Sequence, residues 1–108
     1  MINITIVQIK KNITTIEATG HSGYAEAGND IVCSAVSTLM QALAVGLTEV
    51  VKVSADVKID ETIPYMNICL NENITNTNVQ TLMQTTMLSL KQVANEFTKH
   101  IKIKEKQV

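Results

Sequence analysis

The sequence predicts an α+β fold of the two-layer sandwich type, with its elements in the order ββαββαβ. Two runs of alternating apolar and polar residues open the chain, two lie near its middle and a short one ends it, which is the pattern of strands. Two long stretches have apolar residues at helical spacing. Because each element has one apolar side to bury, we expect a five-stranded sheet covered by two amphipathic helices.

The first two strands are predicted at the beginning of the chain. Ile2, Ile4 and Ile6 alternate with polar residues, and a second β-type run covers residues 13–18. The polar segment 10–12 between them predicts a turn. We therefore expect the chain to open with a hairpin.

A loop and then the first helix follow the hairpin. Residues 20–30, GHSGYAEAGND, hold three of the four glycines and interrupt the periodicity, which predicts a loop. A helix is predicted over about 31–50, with Asp30 as its N-cap. Its apolar stripe is Val32, Ala35, Val36, Leu39, Leu43, Leu47 and Val50.

The second half of the chain contains two strands, the second helix and the last strand. Residues 53–59 and 65–71 alternate in character and predict a second hairpin, separated by the break at Pro64. An apolar stripe from Val79 to Phe97 predicts a long helix, and residues 100–104 predict a short final strand.

Length and composition indicate one domain, 1–108, of a globular protein. Its apolar fraction is 45% and its charged fraction 18%, as in soluble domains. No unbroken apolar run approaches the roughly 20 residues of a membrane span, and the opening MINITIVQIKK lacks the features of a secretory signal. We expect a cytoplasmic protein without a membrane partner, in which the two cysteines are free thiols.

The charge and aromatic content argue against nucleic-acid binding. The net charge is −1, all nine basic residues are lysines, and only three residues are aromatic. The chain therefore offers neither arginine forks for phosphate and guanine nor a set of stacking platforms for single strands. We expect no direct contact with nucleic acid.

The chemistry is concentrated in residues 20–37, GHSGYAEAGNDIVCSAVS. Cys33 falls in the first turn of the predicted helix, where unpaired N–H groups and the helix dipole favour a thiolate. A nucleophilic cysteine also needs a base, and His21 is the local candidate, since a loop of twelve residues closes at small entropic cost. First-turn amides are expected to stabilise an oxyanion. To this loop and donor group we assign Gly20, Gly23, Gly28 and Ser34.

Other interpretations of these residues stay open. A lone cysteine on an apolar helix is often a small buried hydrophobe, and Asp30 is either a helix cap or a residue that orients His21. Cys69 and His100 belong to no recognisable motif, and the sequence has no Cys/His cluster for a metal. No phosphate-loop or dinucleotide pattern is present, so we expect no cofactor.

The segment GHSGYAEAGNDIVCSAVS resembles the signature of the ribosomal-processing cysteine proteases, in which Gly-His opens a glycine-containing loop and Asp-Ile-Val-Cys begins a helix. The resemblance covers these 18 residues closely. It implies that Cys33 and His21 form the catalytic dyad, that the loop between them moves to admit substrate, and that the protein is a homodimer. It also implies the substrate, a precursor of large-subunit ribosomal protein twenty-seven with a short N-terminal extension.

Two other functions compete with the protease. The first is a non-catalytic, ribosome-associated module whose glycine loop grips a peptide or an anion at the helix start. The second is a thiol redox role, which the absence of a Cys-x-x-Cys pair disfavours. The lysines of the tail are expected to form a solvated strand face. Those lysines are Lys99, Lys102, Lys104 and Lys106.

Overall fold

The computed structural model describes residues 1–26, 30–60 and 62–108, and its framework is a five-stranded mixed sheet. The strand order is β3-β4-β2-β1-β5, with β5 parallel to β1 and every other neighbour antiparallel. The strands are β1 (Ile2–Ile9), β2 (Asn12–Thr19), β3 (Ala55–Asp60), β4 (Tyr65–Leu70) and β5 (Ile101–Gln107).

Two helices, α1 (Ile31–Val45) and α2 (Thr77–Glu96), pack against the sheet and bury its apolar side. The alternation seen in the sequence explains why, since the isoleucines of β1 and β2 share one side of the sheet. Fully buried side chains from both layers form one core. They include Ile4, Ile6, Ile16, Val32, Met40, Leu43, Ile68, Met83 and Leu90.

The predicted fold class and element order are confirmed, and three boundaries differ. The helical segment changes character after Val45, where Gly46–Val50 form a π-helical turn closed by the Val51 N–H on the Gly46 carbonyl. β3 starts at Ala55, because the N–H of Val53 donates to Leu47 and holds that residue at the end of the helix. β5 continues to Gln107, paired with β1 along its length. Its outer half is polar on both sides, so alternation could not reveal it.

The segment Ile31–Val50 is 20 residues long with a mean hydropathy of 1.7, which by length and composition alone is enough to cross a membrane. It contains no unbroken apolar run of that length, because small polar residues such as Ser34, Ser37 and Thr38 are scattered through it. In this fold, one side of the segment packs into the core through Val32, Val36, Met40 and Leu43.

Candidate active site

A cleft of about 530 Å³ lies between α1 and the sheet, at the end where β2 leaves the sheet and β3 turns into β4. It brings together His21, Asp30 and Cys33, which the sequence singled out. Its apolar surface is contributed by Ile2, Ala18, Val36, Met40, Ile59, Pro64 and Met66. The fold thus places a thiol and an imidazole in one apolar cleft large enough for peptide side chains.

Cys33 stands in the first turn of α1 and lines the cleft with a half-buried side chain. Its neighbour Val32 is fully buried, so one residue's rotation along the helix moves the thiol from the centre of the core to the wall of the cleft. Cys33 also packs partly against the core. Cys33 therefore contacts the core, as the alternative of a buried cysteine predicts, but its side chain also faces the cleft.

Asp30 caps α1. One carboxylate oxygen accepts the backbone N–H groups of Val32 and Cys33, each at 3.0 Å, and the other accepts the hydroxyl of Ser22. Burial of the Asp30 carboxyl raises its pKa, but hydrogen bonds from Ser22, from the Cys33 amide and thiol and from the Ala25 amide outweigh burial and lower the pKa to about 2. Asp30 is therefore a buried, ionised anchor for the helix that carries the thiol.

His21 is exposed, and no hydrogen bond from the described residues reaches its imidazole. Its position comes from the residues on either side. Gly20 donates its N–H to the Pro64 carbonyl at 3.0 Å and has a positive φ of 101°, while Ser22 is 2% exposed. Between these two fixed points, the imidazole is carried to the mouth of the cleft.

The helix-start amides are used differently from the sequence-based expectation. Those of Val32 and Cys33 donate to the Asp30 carboxylate, and that of Ser34 donates to the Asp30 carbonyl at 3.1 Å. In this conformation the cap occupies the three N–H groups, so they are not free to bind an oxyanion. The side chain of Ser34 is exposed beside the cleft.

The predicted loop glycines have separate positions. Gly20 and Gly23 line the cleft and both have positive φ, whereas Gly28 lies outside the described residues. Asp30 meets Ser22 rather than His21, so among the described contacts it is a cap and not a partner of the imidazole.

Two other residues of this region were not predicted from the sequence. Ser37, four residues after Cys33, lines the cleft and accepts a hydrogen bond from the Gln41 side chain at 3.0 Å. The spacing i, i+4 could have placed Ser37 beside the thiol. His100 contacts the carbonyl of Ser22 at 2.8 Å, across 78 positions of sequence. No local signal predicts that contact.

Within residues 1–26, 30–60 and 62–108, no three His, Cys, Asp or Glu side chains come close enough together to hold a metal ion.

A thiol and an imidazole in an apolar cleft place the chain in the class of cysteine-dependent enzymes. The family model described as cysteine protease Prp matches residues 1–102. The chain belongs to this family and is a cysteine protease. No curated protein sequence matches it.

Solved structures share the fold. The ribosomal processing protease Prp from S. aureus, in complex with a covalently linked product peptide, is 23% identical with a TM-score of 0.91, covering 98% of this chain and 100% of that one. The same protease with a substrate peptide has a TM-score of 0.86 at 22% identity, with the same coverage. SMU.848 from Streptococcus mutans is 32% identical with a TM-score of 0.90, covering 100% of this chain and 96% of that one.

Proposed function

We propose that this protease removes the short N-terminal extension of large-subunit ribosomal protein twenty-seven, with Cys33 as nucleophile and His21 as general acid and base. The observation that carries the proposal is that both side chains line the same apolar cleft. The S. aureus protease of the same fold binds substrate and product peptides, which supports a peptide as the occupant.

The reaction begins with proton transfer from the Cys33 thiol to His21. The Asp30 carboxylate accepts the Cys33 backbone N–H, so a negative sulfur on the same residue is repelled by Asp30 until a positive imidazole balances it. The sulfur then attacks the peptide carbonyl carbon, and the carbonyl electron pair moves to oxygen. Collapse of this intermediate breaks the C–N bond, and the leaving amine takes its proton from His21.

The second half of the reaction regenerates the thiol. Water attacks the thioester while His21 takes its proton, the C–S bond breaks and the peptide leaves as a carboxylic acid. His21 then returns the proton to the Cys33 sulfur. Because the cap occupies the helix-start amides, we assign oxyanion stabilisation to the hydroxyl of Ser37. Its oxygen accepts from Gln41, which leaves its hydrogen free for an acceptor in the cleft.

The resemblance to the family also supports a cytoplasmic homodimer as the acting form. A chain of 11.8 kDa gives a dimer of about 24 kDa, twice that mass. Light scattering of the purified protein at two concentrations distinguishes the two masses, and 11.8 kDa at both concentrations contradicts the dimer.

The experiment that tests the function uses a peptide spanning the N-terminal extension and the first residues of the mature ribosomal protein. Mass spectrometry follows its cleavage by the wild type, Cys33→Ala, His21→Ala and Cys69→Ala. Cys69 is the matched control, since it is the other free thiol and its sulfur accepts a hydrogen bond from the Thr15 hydroxyl on the sheet.

We expect one cut by the wild type and by Cys69→Ala, and none by Cys33→Ala. Loss of a general acid–base is typically worth about 10²–10⁴ in rate, so His21→Ala should retain at most about a hundredth of the activity. Cleavage by folded Cys33→Ala contradicts the nucleophile. An intact peptide with the folded wild type contradicts the substrate and leaves the protease class in place.

A further inference from the structure

The imidazole of His100 holds the segment that carries His21. His100 directly precedes β5, and its Nδ1 lies 2.8 Å from the carbonyl oxygen of Ser22. A carbonyl oxygen only accepts, so Nδ1 carries the proton and donates it. The bond joins the far end of the chain to the residue that directly follows His21.

Ser22 is the point at which the loop is fixed. Its hydroxyl donates to Asp30 and accepts the N–H of Tyr24 at 3.0 Å, and its carbonyl accepts from His100. The first two bonds are local, within the loop and its helix cap. Among the hydrogen bonds of the described residues, the one from His100 is the bond that ties the Ser22 main chain to the segment directly before β5.

His100 is itself held by its backbone. Its N–H donates to the Phe97 carbonyl at 2.9 Å, and its carbonyl accepts the N–H of Ile2 at 2.8 Å. The His100 ring also forms a T-shaped contact with the Tyr24 ring, with centroids 5.4 Å apart. The Tyr24 ring forms a second T-shaped contact with Phe97, with centroids 5.5 Å apart. The His100 imidazole is therefore held in place by these contacts and links the sheet to the loop through its hydrogen bond to Ser22.

The imidazole of His21 has no hydrogen bond of its own from the described residues, so its orientation depends on its main chain. Gly20 is fixed on one side by Pro64, and Ser22 on the other by Asp30 and His100. We propose that His100 is a positioning residue that holds the Ser22 carbonyl and so aims His21 at Cys33. This inference rests on the proposed roles of His21 and Cys33.

The test compares His100→Leu with His100→Asn. The two side chains have the same branching, but only asparagine offers an N–H near the place of Nδ1. We expect His100→Leu to lower kcat for the extension peptide about tenfold or more, with KM within about twofold, because misplacement of a catalytic group can cost up to about 10²-fold. His100→Asn should restore most of the loss. Lys99→Ala, an exposed neighbour, is the control.

A double-mutant cycle of His100→Leu with His21→Ala distinguishes a positioning role of His100 from a general disturbance of the structure. The rate of Cys33 alkylation by iodoacetamide is measured in each single variant and in the double variant. If His100 acts through His21, His100→Leu slows alkylation in the wild-type background and has no further effect in His21→Ala. Equal slowing in both backgrounds overturns the inference, as does a loss of kcat that His100→Asn does not recover.

The outcomes also distinguish this inference from the proposed dyad. If His21→Ala leaves turnover and alkylation unchanged, the dyad is wrong and the inference falls with it. If His21→Ala lowers both and folded His100→Leu lowers neither, the dyad stands and the inference is wrong. Thermal unfolding checks each variant. Should His100→Leu fail to fold, His100→Asp replaces it. Aspartate has the shape of asparagine, but its ionised side chain has no N–H to donate to the Ser22 carbonyl.

Discussion

Asp30 links the folding of α1 to the geometry of the cleft. Its buried carboxylate accepts two backbone N–H groups and one hydroxyl, so it fixes the helix start and Ser22 together. The same carboxylate lies near the Cys33 thiol, where its charge opposes a thiolate. Asp30 therefore stabilises the helix start but opposes a thiolate at Cys33, a cost that the proposed mechanism assigns to proton transfer to His21.

The first prediction concerns acid stability. Since hydrogen bonds lower the Asp30 pKa from 3.8 to about 2, we expect Asp30→Asn to reduce the free energy of unfolding by about 2 kcal/mol near neutral pH. The folded-state pKa lies below the unfolded value, so this stabilisation is complete above the unfolded pKa of 3.8 and is lost as the pH falls through about 2. Urea unfolding of both proteins across this pH range measures the difference.

Glu49→Gln is the control for Asp30→Asn. It removes an exposed carboxyl in the π-helical turn that follows α1, at the opposite end from the cap. Its effect should stay within about 0.5 kcal/mol, as for other surface changes. A difference between wild type and Asp30→Asn that does not shrink in acid contradicts the assignment of the stabilisation to the ionised cap.

The second prediction concerns two loop glycines with positive φ. At Gly20 an added Cβ collides with the Met1 carbonyl oxygen, whereas at Gly23 it meets nothing within 4 Å. Gly23→Ala should cost about 1–2 kcal/mol from the left-handed backbone alone, and Gly20→Ala clearly more. Because Gly20 directly precedes His21, Gly20→Ala should also lower kcat/KM more. Thermal unfolding and peptide cleavage test this, and equal losses would rule out the backbone collision.

At the scale of elements, α2 supplies hydrogen bonds to the sheet as well as apolar cover. β4 pairs with β2 only from Thr15 onward, which leaves Ile13 without a strand neighbour on that side. Gln80 of α2 fills the gap, since its carboxamide accepts the Ile13 N–H and donates to the Ile13 carbonyl, both at 2.9 Å. Its Nε2 also donates to the Ile74 carbonyl at 2.8 Å. The Gln80 side chain thus supplies the two hydrogen bonds that a neighbouring strand would otherwise make to Ile13.

The third prediction follows from that contact. Gln80→Ala should lower the free energy of unfolding by about 2 kcal/mol or more, because it leaves partly buried backbone groups unpaired, at about 1–3 kcal/mol each. Thr81→Ala is the control at the next position of α2, where the exposed hydroxyl donates to the Thr77 carbonyl within the helix and should be worth less than about 1 kcal/mol. Urea unfolding compares the two, and similar losses would contradict the bridging role.

The sequence predicts elements whose signals are local. The alternation of Ile2, Ile4 and Ile6 identifies a strand, and Asp30 ahead of an apolar stripe identifies a helix start. The same spacing also places Cys33 beside the core stripe rather than in it. Each of these inferences uses residues that are a few positions apart, which is the range over which backbone geometry is repetitive.

The contacts that complete the sheet and the site depend on tertiary structure. His100 and Ser22 are 78 positions apart and Gln80 and Ile13 are 67 apart, and neither pair shares a periodic pattern. Strand order also depends on packing, since β5 joins β1 in parallel only after α2 has crossed the sheet. The use of the helix-start amides by their own cap likewise became visible only in the folded chain.

Across the whole molecule, the cleft has one wall at an edge of the sheet. β1 and β2 each have a strand on both sides, while β3 is an edge strand whose Ile59 is 63% exposed. The end of the β3–β4 hairpin forms one wall of the cleft through Ile59, Pro64 and Met66. Segments with few buried contacts open at low free energy, so this wall can adjust while the centre of the sheet stays closed.

The last prediction follows from this distribution of stability. In hydrogen exchange, the amides of β1 and β2 should exchange slowest, and those of the edge strands β3 and β5 faster. Covalent occupation of Cys33 by a peptidyl chloromethyl ketone should then slow exchange in the β3–β4 hairpin, since a peptide in the cleft packs against that wall, and leave β1 unchanged. Alkylation with iodoacetamide, which adds no peptide, is the control. Equal slowing in every strand would indicate general stabilisation, and a hairpin that is unaffected would place the peptide elsewhere.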